Sequence, residues 1–170
     1  MNNGKIELRN IKVFLGLSEE THCYTAVVWF RGEKAVEVSN RGYGGCDSQY
    51  ALNGGSLNDL ELWCNKNLPK WDTPKSYVDQ GMPLKSHETT LEHWCAEQVG
   101  KHLEMSEFKR AMKVRPVYVD NGKLMETKFK GKKKYTEDQK ESVLRKHPTA
   151  IILNDMDTEE AFKLWEKYRS

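Results

Sequence analysis

The run His22-Cys23-Tyr24-Thr25-Ala26-Val27-Val28-Trp29-Phe30 decides how the chain folds. It is dense in β-branched and aromatic residues, which suit a pleated and packed surface. Apolar side chains fall on both alternating faces, so the run reads as a central strand covered on both sides. Towards the start of the chain, Ile6 and Leu8, then Ile11, Val13, Leu15 and Leu17, alternate with other residues. The phase slips at Arg9-Asn10, as a β-bulge or a short turn would make it. In the other direction, Arg31-Gly32-Glu33-Lys34 reads as a hairpin turn into a third strand over 35–39. Residues 1–40 are therefore expected to form an antiparallel three-stranded meander.

Helical signals begin beyond a glycine-rich stretch. Ser56 and Asp59 have capping-box spacing and open a helix with Leu57, Leu60, Trp63, Cys64 and Leu68 on one face. Pro69, Pro74 and Pro83 make 69–83 a loop, which Trp71 and Tyr77 either pin to the body or offer to a partner. A second helix is expected from Thr89, with Glu92 completing its box and Leu91, Trp94, Cys95, Gln98, Val99, His102 and Leu103 as its stripe. Asn121-Gly122 marks a hairpin, because both residues accept positive φ. Thr136 to Gln139 starts a helix that must stop before Pro148, Ala150-Ile151-Ile152-Leu153 is a short apolar strand, and Asp157 caps a last helix. The fold class is α+β, with a largely antiparallel sheet (N-terminal meander plus later hairpin) packed with about four helices. One domain is expected over 1–170: meander and glycine-rich loop in 1–50, a helical part in 51–113, and hairpin, helix, strand and helix in 114–170.

Composition narrows the functional classes. Of 170 residues, 31% are charged, 38% hydrophobic and 10% aromatic, and that aromatic content excludes a disordered chain. Mean hydropathy is −0.78, and no apolar run approaches the roughly 18 residues of a membrane span. No apolar leader follows Met1-Asn2-Asn3-Gly4-Lys5, so a soluble cytoplasmic protein, with no membrane partner, is expected. The net charge of +2 is uneven, because 107–148 holds 13 Lys and Arg against 6 Asp and Glu. Cys23, Cys46, Cys64 and Cys95 contain no Cys-x-x-Cys pair, so neither zinc nor a disulfide framework is expected. No Gly-Lys-Ser/Thr triplet and no Gly-x-Gly-x-x-Gly occurs, and no cofactor or metal is called for.

Two places carry candidate chemistry. In a meander, the turn 18–23 and the exit loop 40–47 lie at the same end of the sheet. That juxtaposition brings Glu19, Glu20, His22, Arg41 and Asp47 beside Gly42, Tyr43, Gly44 and Gly45. Such a rim either reverses the chain or binds a ligand or partner, with glycine amides and Arg41 suited to a small anion such as a nucleotide. The second place is Lys128, Lys130, Lys132, Lys133 and Lys134 with Tyr135, which suit phosphate contact and base stacking in a nucleic-acid-binding module. Catalysis has thinner support. His22 and Cys23 are strand neighbours that point apart, and only Cys46 with His22 across the loops would make a thiol nucleophile. Asp155 and Asp157 read as a turn and a helix cap rather than metal ligands. No catalytic residue is assigned.

The pattern Ser18-Glu19-Glu20-Thr21-x-Cys23 followed by Asn40-x-Gly42-x-Gly44-Gly45-Cys46 resembles the start of a group of small bacteriophage and prophage proteins, over roughly the first 50 residues. The resemblance implies a setting rather than an activity: a viral accessory protein in the cytoplasm of a bacterial host cell, of a kind that binds and blocks a host component. The expected function is non-enzymatic binding of a bacterial host protein or defence complex.

Overall fold

The structure, a computed structural model, describes residues 4–131 and 134–169. Strands β1 (Ile6–Val13), β2 (Tyr24–Phe30), β3 (Glu33–Asn40) and β4 (Ser48–Ala51) form a four-stranded antiparallel sheet in chain order. The expected phase slip is a register shift between Arg9 and Lys12, with Asn10 at φ 56°. The hairpin between β2 and β3 is tighter than the sequence suggested. Arg31 and Gly32 alone turn the chain, both with positive φ, as in a type I′ turn. The strand alternation read through Leu15 and Leu17 is broken: Leu15–Leu17 is a short 3-10 turn that β1 does not reach. Ser18 closes it, its hydroxyl donating to the Phe14 carbonyl and accepting from the Cys23 amide.

Strand β2 is central but covered on one face only. Tyr24, Ala26 and Val28 are buried with Val36 and Val38 of β3. On the other face Thr25 is exposed, and Trp29 is roofed by the Arg9 guanidinium 4.2 Å above its ring. An arginine stem and fork thus stand where a second layer was expected.

Helix α1 (Leu57–Asn67) follows a Ser56 cap whose oxygen accepts the Asp59 amide at 3.2 Å. Trp63 meets Phe30 edge-on, with ring centroids 4.9 Å apart. The proline-bearing loop contains a two-stranded sheet, β5 (Trp71–Asp72) with β6 (Ser86–His87), and the short helix α2 (Lys75–Val78). Trp71 pins this loop: its indole lies between the His87 and His93 rings, 4.4 Å from each. Tyr77 remains exposed. Helix α3 (Leu91–Val114) is capped by Thr90, whose hydroxyl accepts the His93 amide, rather than by Thr89. Thr89 is buried and donates to the Pro69 carbonyl.

The chain divides into two compact units, Met1–Lys101 and His102–Ser170, and α3 has residues in both. In the first unit α3 buries Leu91, Trp94, Cys95 and Val99. The second unit holds the sheet β8 (Lys123–Glu126), β7 (Val117–Asp120), β9 (Ile151–Ile152), with β7 in the middle. Here is the strand covered on both faces. Val117 and Val119 join a cluster with Phe108, Ala111, Leu153, Ala161 and Trp165, while Tyr118 faces Val143 and Ile152. Helix α4 (Glu137–Lys146) carries Val143 behind Thr136, whose amide donates to the Gln139 side chain, and α5 (Thr158–Tyr168) carries Ala161 and Trp165 behind an Asp157 cap. The fold is mixed α+β, with five helices among the described residues.

Asn154 closes this second unit. Its side-chain amide donates to the Met112 and Arg115 carbonyls at 2.7 and 2.9 Å, and its oxygen accepts the Val117 amide at 2.7 Å. These bonds satisfy the carbonyl end of α3 and fix where β7 begins. Asn154→Ala is expected to lose about 2–4 kcal/mol in urea unfolding, because three backbone groups lose their partner. The exposed Lys163→Ala control should change stability by no more than about 0.5 kcal/mol. Equal stability of the two variants would contradict this role for Asn154.

Candidate functional site

The two segments expected to meet do meet. Gly42 has φ 89°, and a Cβ built on it would lie 2.3 Å from the Leu17 carbonyl oxygen, so the contact demands glycine. The Gly42 carbonyl accepts three amides in succession, from Glu19, Glu20 and Thr21, at 3.0, 3.0 and 3.3 Å. Gly44, also at positive φ, is covered by the Glu20 carboxylate.

Asn40 organises the loop from beneath. It is 8% exposed and uses its whole amide. Its oxygen accepts the Gly42 amide and the Thr21 hydroxyl, both at 2.8 Å. Its nitrogen donates to the Gly45 carbonyl at 2.8 Å and to Asp47 at 3.0 Å. Thr21 then accepts the Gly44 amide at 3.3 Å. The sequence reading placed exposed glycine amides here, but those of Gly42 and Gly44 are turned inward onto Asn40 and Thr21. What faces solvent is a set of side chains: Glu19, Glu20, His22, Arg41, Tyr43 and Cys46. Beside them stand Phe14, Leu15 and Leu17 of the 3-10 turn, all exposed, with Leu15 at 66% and Tyr43 at 62%.

Asp47 faces the interior. It accepts the Tyr24 hydroxyl as well as Asn40, and its own amide donates to Glu92 on α3 at 3.1 Å. Burial raises its carboxyl above the ordinary value, while the bonds from Tyr24 and Asn40 oppose that shift. Burial and the Asp47 bond raise the Tyr24 phenol. Burial also pushes the Cys64 thiol up to about 12 and raises Cys95 likewise, so both stay protonated and unreactive. All four cysteines are free thiols; Cys46 is exposed and Cys23 half-buried. Among the described residues no group of three or more His, Cys, Asp or Glu is placed to hold a metal ion, and no helix is long and apolar enough to cross a membrane.

The basic segment is arranged differently from a stacking platform. Lys128, Lys130 and Lys134 are exposed, while Lys132 and Lys133 lie outside the described residues. Tyr135 packs against the cluster of Tyr118, Val143 and Ile152, and its hydroxyl donates to Asp155. Burial and that carboxylate push its phenol up to about 12. The ring is committed to the fold rather than offered to a base. Asp155 also pairs with Lys140 at 2.8 Å, and Asp157 accepts the Glu159 amide, which are the turn and cap roles expected of them.

Several partnerships escaped the sequence. His147 places Nδ1 2.8 Å from buried Asp120, which also accepts the Thr149 hydroxyl. His87 stacks on Trp71 and lies 3.1 Å from the Thr73 hydroxyl. Asn40 and Thr21 were visible only as parts of a pattern. The usable signal was an Asn two residues before Gly-x-Gly-Gly at a strand end, since Asn bonds its own backbone two residues on.

Comparison with protein-family models, curated proteins and solved structures finds no match.

Asn40→Ala removes four bonds from a buried position. It should cost about 3 kcal/mol or more in urea unfolding and expose amides of 41–47 to rapid hydrogen exchange. Unchanged exchange in that loop would contradict the organising role. Asp47 gives a pH test. Its folded carboxyl is raised above the unfolded one, so its favourable contribution is complete below the unfolded value, near 3.8, and is lost as pH rises through the folded value. Asp47→Asn removes that loss and should flatten the decline of stability between pH 4 and 7 relative to the parent protein. A steeper decline in the variant would reverse the assignment.

Proposed function

We propose that this protein is a non-enzymatic binding protein of bacteriophage type, which acts in the cytoplasm of a bacterial cell by engaging and blocking a host protein or defence complex. The observation that carries the reading is the exposed apolar turn Phe14, Leu15 and Leu17 beside Tyr43, its backbone closed against Gly42, whose amide Asn40 holds. Large apolar side chains on a backbone ordered in advance spare the loop-ordering part of the entropy cost of docking, which suits interface anchors. Glu19, Glu20 and Arg41 border the anchors as exposed charges, the polar rim that normally surrounds such a core. The bacterial setting comes from the resemblance of the first 50 residues to phage and prophage proteins.

The test is affinity capture from a bacterial lysate with the tagged full chain, comparing the parent with Leu15→Asp, Tyr43→Ala and Lys128→Ala/Lys130→Ala/Lys134→Ala. A host protein retained by the parent, weakened about tenfold or more by Leu15→Asp or Tyr43→Ala and unaffected by the lysine changes is the expected result. Recovery of nucleic acid, lost with the lysine changes and at moderate salt, would overturn the reading in favour of a phosphate-binding surface.

A further inference from the structure

A cleft of about 270 Å³ opens at the opposite end of the first sheet from the rim, between the hairpin of β2 and β3 and the start of α1. Its floor is Val36 and Leu60, both buried. Its walls are the edge-on pair Phe30 and Trp63. At its mouth stand two charges from different elements, Arg31 on the hairpin and Asp59 on the first turn of α1. Among the described residues neither forms an ion pair. The Arg31 guanidinium lies 4.8 Å above the Phe30 ring, on a residue whose φ of 54° belongs to the hairpin turn.

An apolar cleft with a few convergent polar groups is the usual form of a small-molecule site. The two charges narrow the ligand. An anion would meet Asp59, a cation would meet Arg31, and a neutral apolar molecule would leave both without a partner. A small zwitterion with an apolar body satisfies both charges and fills the floor. The geometry points to a binding site for a free apolar α-amino acid, with its side chain packed against Phe30, Trp63 and Leu60, its carboxylate on Arg31 and its ammonium on Asp59. The site lies apart from the rim and does not depend on the protein-binding role.

Calorimetric titration of the full chain tests this with L-phenylalanine, L-leucine, phenylacetate and 2-phenylethylamine as probes. The amino acids are expected to bind with Kd of roughly 10 μM to 1 mM, and the two singly charged analogues about tenfold more weakly or worse. Arg31→Gln and Asp59→Asn, both at exposed positions, should each weaken L-phenylalanine about tenfold, while unfolding midpoints confirm that the variants remain folded. Absence of binding by either amino acid at millimolar concentration would overturn the proposal. So would phenylacetate binding as tightly as L-phenylalanine, or unchanged affinity in both folded variants.

Discussion

The side-chain amide of Asn40 is the constraint on which the end of the first sheet depends. Two strands and two loops converge on it, and each of its four hydrogen-bonding positions is occupied. A buried amide with this complement costs little, whereas the same group with one bond missing would be expensive. The network therefore has a single favourable arrangement. That arrangement orients Asp47 towards Tyr24 and α3, turns the Gly42 and Gly44 amides inward, and leaves the outer surface of both loops mainly to side chains. The apolar turn at Phe14 to Leu17 is ordered from below by the same contacts, since Gly42 closes against the Leu17 carbonyl.

The second unit solves a related problem with another amide. Asn154 satisfies two carbonyls at the end of α3 and the first amide of β7, so helix end and strand start share one side chain. Strand β7 can then be buried on both faces, with aromatic packing from α3 and α5 on one side and Tyr118 against α4 on the other. His147 adds a link from the end of α4 to Asp120 at the end of β7. Each of these links joins residues more than 25 positions apart in the chain.

That separation explains what the sequence disclosed and what it hid. Caps and tight turns are local chemistry. Ser56, Thr136, Asp157 and Asn121-Gly122 could be read directly and stand as expected, as does the slip at Asn10. The α+β class followed from them. Strand β4, Ser48-Gln49-Tyr50-Ala51, lacks β-branched residues and takes its conformation from β3, so no local signal announced it. The apolar composition of β2 suggested two covered faces because composition cannot distinguish a helix layer from an arginine lying over Trp29. At the rim, chain order sufficed to bring 18–23 to 40–47, but not to show that the amides point inward, which depends on bonds from Asn40 and Thr21. The cleft at Arg31 and Asp59 was invisible for the same reason: its two charges come from elements that meet only in three dimensions.

The closure of Gly42 against Leu17 has a consequence for how this end of the molecule can vary. Surface loops ordinarily absorb insertions and deletions one at a time, because their lengths are independent. Here the two loops share a steric lock and three amides on one carbonyl, so a residue added to either would leave the other without its complement. Side chains on the outer surface are free to change, while the backbone beneath them is not. The pair behaves as one interchangeable cassette, and moving its surface onto another sheet would require both loops and the asparagine between them.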